Sequence, residues 1–208
     1  MSTNKSAATL QRRPLVKQLL ENAGDDLLVI AGLGSSNWDI TAAGDRPLNM
    51  PLWGSMGAPV GMGLGLAMAQ PTKRVLVITG DGDMLMSLGS LATVATQMPE
   101  NLAIVVLDNE KFGETGNQAT HTSPRNNGPT DSGAGTDLAM IARGCGIADA
   151  TTVREAGEVA ELVKDVRTKK GPVFRLVKVM VEKLEFVMPP QDGAHLKDRF
   201  RQALLGHP

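Results

Sequence analysis

Apolar, β-branched runs punctuate this chain. Arg74–Thr79 and Leu102–Leu107 are short and almost wholly apolar, as strands buried on both faces of a parallel sheet are. Leu27–Ala31 predicts a first strand and Pro172–Val179 a further one. Between these runs the spacing turns helical. Leu85, Leu88, Leu91, Thr93 and Val94 place a helix over Met84–Gln97, beginning just after Gly82. Others are expected at about Ala8–Asn22, Thr136–Gly144, Glu155–Lys169 and Asp192–Leu205. Strands joined by right-handed helical crossovers predict an α/β fold, a single doubly wound parallel sheet flanked by helices, with ligands at the carboxyl tips of the strands. The stretch from Glu110 to Gly135 is rich in Gly, Asn, Thr, Ser and Pro and shows neither helix nor strand pattern. A loop of that length is usually functional, and this one is expected to order over a bound ligand.

The two predicted strand tips carry the candidate chemistry. After the first comes Gly80-Asp81-Gly82; after the second, with twenty-six residues between it and Gly82, comes Asn109. Glycines let a diphosphate approach the backbone, and a helix N-terminus offers it unpaired N–H groups. The remaining charge calls for a hard cation such as Mg²⁺, which takes carboxylate and amide oxygens of the kind Asp81 and Asn109 supply. A plainer alternative is a tight turn in which Asp81 caps the helix. Upstream lies Trp53-Gly54-Ser55-Met56-Gly57-Ala58-Pro59, followed by a Gly- and Ala-rich stretch through Ala69. Gly61, Gly63 and Gly65 lack the G-x-G-x-x-G spacing of a dinucleotide site and fit helix packing better. No phosphate-loop motif is present, and no paired Cys or His suggests zinc.

Gly-Asp-Gly followed at this spacing by Asn resembles the diphosphate-binding domain of the thiamin diphosphate-dependent decarboxylases. The resemblance implies that the Asp81 carboxylate, the Asn109 side-chain oxygen and the Lys111 main-chain oxygen hold Mg²⁺. It places Gly80, Gly82, Asp83, Phe112 and Gly113 around the diphosphate, with Ser35 and Ser36 in contact with it. Met56 resembles the apolar wedge that keeps the cofactor bent, with Ser55 beside it and the Gly54 carbonyl accepting from the aminopyrimidine. A gap-filling core methionine is the alternative for Met56 in a chain with 11 Met. Phe112 to Thr122 is similar to a (Y/F)G-x-T-G-x-Q-x-T-x-T loop of the sulfopyruvate and phosphonopyruvate decarboxylase type, with Phe112 where Tyr is common and Ala119 where Pro is usual. Those two departures leave the substrate open. His121 on this loop is the candidate for contact with substrate or for proton transfer, with Asn117 and Gln118 of similar standing. A solvated surface histidine is the alternative.

The resemblance covers roughly residues 25–201 and implies a two-subunit enzyme. Its activating glutamate belongs to a separate pyrimidine-binding domain, and 208 residues with 42% hydrophobic content have room for one such core. Residues 1–208 are therefore expected to form the diphosphate-binding domain alone. The pyrimidine-binding (α) subunit would be a partner chain, in a hetero-oligomer whose interface exceeds about 1,000 Å². The implied reaction is decarboxylation of a small acidic 2-oxoacid to CO₂ and an aldehyde. The alternatives are an acetolactate-synthase-like carboligase and a non-catalytic thiamin diphosphate-binding subunit. A 2-oxoacid:ferredoxin oxidoreductase subunit would call for several cysteines, whereas Cys145 is alone. Net charge of −1 and 3% aromatic residues with no Tyr argue against nucleic acid. A single Cys, no apolar leader and no apolar run of about eighteen residues point to a cytoplasmic protein away from membranes.

Overall fold

A computed structural model describes residues 9–124 and 135–207. Six strands form one parallel sheet: β1 (Leu27–Ala31), β2 (Asn49–Pro51), β3 (Arg74–Gly80), β4 (Leu102–Asp108), β7 (Ala150–Val153) and β8 (Val173–Lys178). Their order is β2-β1-β3-β4-β8-β7, which puts the most apolar runs at the centre. Alternate side chains serve opposite faces. Leu28, Val77, Ile104 and Phe174 meet α3 (Pro59–Ala69), α5 (Gly89–Gln97), α6 (Leu138–Gly144) and α8 (Gly193–Leu205) on one side. Leu27, Leu76, Val105 and Val173 meet α1 (Arg12–Leu20), α2 (Ser35–Ala43) and α7 (Val159–Thr168) on the other. All eight strand residues are 0% exposed, so each contributes the ~1.5–3 kcal/mol expected of full burial. The doubly wound fold expected from the sequence is the one found.

The connections create the opening for a ligand. After β1 the chain passes into α2 on one face, while after β3 it passes through α4 (Asp81–Leu85) to α5 on the other. Adjacent strands whose crossovers depart to opposite faces leave a crevice at their carboxyl ends. Among the described residues no helix is long and apolar enough to cross a membrane.

Several expected elements differ. The helix predicted over Met84–Gln97 is two helices, the first starting at Asp81 and ending at Leu85. Tight turns, Met86 N–H to the Asp83 carbonyl (3.2 Å) and Ser87 N–H to the Met84 carbonyl (3.1 Å), interrupt it before Gly89. The apolar spacing suits the broken path as well as a continuous one. The stretch from Glu110 to Gly135 is not patternless: β5 (Lys111–Phe112) and β6 (Gln118–Ala119) pair as an antiparallel hairpin over a 3-10 turn at Gly113–Thr115. Both strands are two residues long, too short for a period to register. Residues 125–134 of that loop lie outside the described residues, as does Ala8 of the predicted first helix, which begins at Arg12. The helix expected from Thr136 begins at Leu138, where the Asp137 carboxylate caps Met140 N–H.

Candidate cofactor site

A cavity of about 210 Å³ occupies the crevice. Leu33 to Ser36 line it from the end of β1, Gly80 to Asp83 from the end of β3, and Leu107, Asn109 and Lys111–Thr115 from the end of β4 and beyond it, with Met56 and Arg12 completing the wall. Of the residues proposed from sequence, Ser35, Ser36, Met56, Gly80, Asp81, Gly82, Asp83, Asn109, Lys111, Phe112 and Gly113 share this cavity. Gly54 and Ser55 are outside its lining, in the turn that precedes Met56. His121 is exposed and also outside, because the two threonines flanking it turn inward.

Those threonines organise the acidic centre. Asp81 is 2% exposed, and its Oδ2 accepts hydrogen bonds from Thr120 Oγ1 (2.5 Å) and Thr122 Oγ1 (3.0 Å). Thr122 Oγ1 also lies 2.9 Å from Oδ1 of Asp108, tying the two carboxylates together. Burial, and after it the charge of Asp108, push the Asp81 carboxyl up to about 6 despite the threonine hydroxyls. Asp108 has its own cation, for Lys178 stands opposite it in register and pairs with it at 2.6 Å, and with Glu110 at 2.8 Å. Burial lowers the Lys178 pKa, but Asp108 and Glu110 outweigh burial and raise it. Asp81 has no such counter-ion among the described residues.

Beyond β4 the chain turns sharply. Asn109 Oδ1 accepts from Lys111 N–H at 3.0 Å, and Asp108 Oδ1 from Glu110 N–H at 3.1 Å, so side chains hold the turn in which Glu110 takes φ +62°. This turn aims the β5–β6 hairpin back over α4. Phe112 then fills the space a side chain at Gly82 would need: a Cβ there would lie 2.6 Å from Phe112 Cε1. Gly80, the N-cap of α4, provides no side-chain cap, and the first turn carries Asp81 and Asp83.

Asp83 performs a different task. Its carboxylate accepts from Thr79 Oγ1 at 2.5 Å and from the main-chain N–H of Gly57, which fixes the loop bearing Met56 against β3. Burial raises its pKa while these two bonds lower it. A Cβ at Gly32 would collide with Asp83 Oδ2, so only glycine leaves room for this carboxylate. Sequence reasoning gave no role to Thr79, Asp108, Lys178 and Arg12, nor to Glu114 within its loop motif. Thr120 and Thr122 stood in its loop motif without a role; their i, i+2 spacing, which puts both hydroxyls on one side of an extended segment, was the available signal.

The family model for the thiamine pyrophosphate enzyme C-terminal TPP-binding domain matches residues 34–177, the segment that carries all of the cavity wall except Arg12 and Leu33. The chain belongs to the thiamin diphosphate-dependent enzyme family. Within this family it is 39% identical over 142 residues to the sulfopyruvate decarboxylase subunit beta of Methanocaldococcus jannaschii, covering 68% of this chain and 70% of that one. It is 30% identical over 198 residues to the phosphonopyruvate decarboxylase of Streptomyces viridochromogenes, of which it spans 47%. The acetolactate synthase isozyme 1 large subunit of Escherichia coli is 24% identical over 199 residues, and the chain spans 34% of it. Among solved structures, a 2-oxoglutarate:ferredoxin oxidoreductase of Magnetococcus marinus superposes with a TM-score of 0.66 at 18% identity over 95% of this chain and 78% of that one, a likeness of fold.

Proposed function

We propose that this chain is the diphosphate-binding subunit of a two-subunit thiamin diphosphate-dependent decarboxylase that converts a small acidic 2-oxoacid, of the sulfopyruvate or phosphonopyruvate type, to CO₂ and an aldehyde. The observation that carries the reading is Asp81: a buried carboxylate with a second carboxylate beside it, two hydroxyls ordering it and no cation of its own among the described residues. Such a group favours an oxygen-seeking divalent ion. The Asn109 side-chain oxygen and the Lys111 carbonyl complete a hard donor set suited to Mg²⁺, with phosphate and water oxygens filling the other positions.

Bound thiamin diphosphate supplies a nucleophilic carbon that adds to the keto carbon and takes up the electron pair released with CO₂. The residues of this chain anchor and shape. Gly80, Gly82 and Gly113 let the diphosphate approach the backbone; Ser35 and Ser36 face it from α2. Met56, held through Gly57 by Asp83, supports the bent cofactor, with the Gly54 carbonyl and Ser55 on its near side. His121 is proposed to meet substrate once a partner encloses the loop. The glutamate that sits against N1′ of the pyrimidine and activates the cofactor would come from a pyrimidine-binding partner. Met56 at 38% and Met86 at 63% exposure, beside the cavity and its loop, supply apolar surface for that partner. The lone Cys145 suits a reducing, cytoplasmic setting.

The test is CO₂ release from sulfopyruvate, phosphonopyruvate and pyruvate by this chain co-expressed with a candidate partner, with Mg²⁺ and thiamin diphosphate, beside an Asp81→Ala control. Cofactor-dependent release that the control abolishes supports the reading. The relationship to acetolactate synthase keeps one rival in view, and a new carbon–carbon bond in the product would establish it instead. Cofactor binding without turnover of any 2-oxoacid would favour a non-catalytic subunit.

A further inference from the structure

The turn after β4 is held from behind by a residue outside the cavity. Side chains alternate along an extended segment, so Leu107, Asn109 and Lys111 line the cavity while Asp108 and Glu110 stand behind them. Lys178 is there too, the last residue of β8, in register with Asp108 and 6% exposed. Its Nζ donates to Glu110 Oε1 at 2.8 Å and lies 2.6 Å from Asp108 Oδ2, an ion pair outside hydrogen-bond alignment. Asp108 is fully buried and needs a cation. Glu110 does not: a third of its side chain is open to water, yet it turns to Lys178.

The backbone shows what that contact does. Glu110 takes φ +62°, a left-handed conformation that glycine would adopt without steric cost. Of the four non-glycine residues with positive φ among the described residues, Asn22 and Asn117 are of the type that tolerates it and Met98 ends α5. Glu110 instead sits within a tight turn, between the two residues proposed to lend oxygens to the metal. Its side chain is tied to Lys178, its N–H to Asp108 Oδ1 at 3.1 Å, and its carbonyl to Thr120 N–H at 3.1 Å. Three anchors thus fix the residue joining Asn109 to Lys111, and with it the spacing of the Asn109 side-chain oxygen and the Lys111 carbonyl on either side.

We propose that Lys178, acting through Glu110 and Asp108, is the positioning residue that makes this turn select Mg²⁺ over larger divalent ions. The proposal rests on the reading of Asp81, Asn109 and Lys111 as metal donors, and adds the residue that sets their geometry. Mg²⁺ demands near-octahedral oxygens at about 2.0–2.1 Å, whereas Ca²⁺ accepts irregular arrangements at about 2.3–2.6 Å. A turn released to flex therefore loses affinity for the smaller ion and keeps most of it for the larger. A lysine that merely offset charge would act on both ions alike, because their charges are equal.

The experiment uses the full chain with its co-expressed partner at saturating thiamin diphosphate. Bound Mn²⁺ is followed by its electron paramagnetic resonance spectrum and displaced by Mg²⁺ or Ca²⁺, which yields a dissociation constant for each ion without turnover. Lys178→Met should weaken Mg²⁺ about ten- to hundredfold while Ca²⁺ changes by less than about threefold. Lys178→Arg, which keeps the charge and the reach to both carboxylates, should restore most of the preference. Glu110→Gln leaves Lys178 paired with Asp108 and removes only the ionic tether, so the preference for Mg²⁺ should fall by about two- to fivefold. This second variant keeps the test valid if Lys178→Met fails to fold. Equal losses for the two ions, or a preference unchanged in Glu110→Gln, overturn the proposal and leave Lys178 a structural ion pair. A wild-type complex that binds none of the three ions overturns the metal-donor reading itself.

Discussion

Replacing Asp81 by Asn should stabilise the metal-free protein while disabling it. In the folded chain the Asp81 carboxyl sits at about 6 against an ordinary 3.8, because burial and then Asp108 oppose its ionisation. The folded state therefore holds the proton more tightly than the unfolded chain. Stability from this group is fully present below pH 3.8 and is lost as pH rises through about 6. Two units of displacement correspond to about 3 kcal/mol at pH 8. Asn keeps an oxygen for Thr120 and Thr122 but brings an amide that needs its own acceptor, so a net gain of about 1–3 kcal/mol is expected. At roughly 2–4 °C per kcal/mol for a chain of this size, the melting temperature in chelator at pH 8 should rise by about 2–12 °C. At pH 4 the two proteins should melt together. Adding Mg²⁺ and thiamin diphosphate should raise the wild-type transition and leave that of the Asp81→Asn variant unmoved. A variant that melts lower than wild type at pH 8 in chelator, or that still responds to Mg²⁺ and cofactor, would refute the account of Asp81 as an uncompensated metal carboxylate.

Thr122→Val removes the hydroxyl shared by Asp81 and Asp108 while keeping the shape, and should cost about 1.5–3 kcal/mol in urea unfolding and weaken Mg²⁺ binding in a calorimetric titration. Gly82→Ala drives a methyl to 2.6 Å from Phe112, so cofactor affinity should fall at least tenfold, and Phe112→Leu in the same chain should restore part of it. Gly63→Ala drives a methyl into Val77 Cγ2 on the far side of the sheet from Arg12; it should destabilise by about 1–3 kcal/mol with little change in cofactor affinity, which denaturation and fluorescence titration together would show.

The central strands were legible because strands buried on both faces are apolar throughout; β1 was read with the bounds it has, and β3 and β4 lack one residue each at the tip. Those final residues, Gly80 and Asp108, belong to the site and break the apolar run. Strands β2 and β7 were invisible: Asn49 and Pro51, or Thr151 and Thr152, supply no strand pattern, and sheet pairing with β1 or β8 makes them extended. Helix α2 escaped for a related reason, since its buried positions Ser36, Asn37 and Asp39 are polar, Asn37 held by a hydrogen bond and Asp39 by ion pairs. In the site, motif spacing brought out the residues near the diphosphate and cation. Arg12 owes its place to Asp39, twenty-seven positions later and on another helix, a dependence that local reading does not reveal.

The void at Gly32 has a consequence for how such a chain can change over generations. The space a side chain would fill is occupied by the Asp83 carboxylate, which in turn grips Gly57 and so holds Met56 in place. Any residue larger than glycine at position 32 would evict that carboxylate, and a shorter or neutral residue at 83 would release the turn at 57. Positions 32, 57, 79 and 83, scattered over fifty residues, are thus free to vary only as a set. Descendants that alter the shape of the Met56 loop, and with it the compounds they accept, should carry compensating replacements at the end of the first strand.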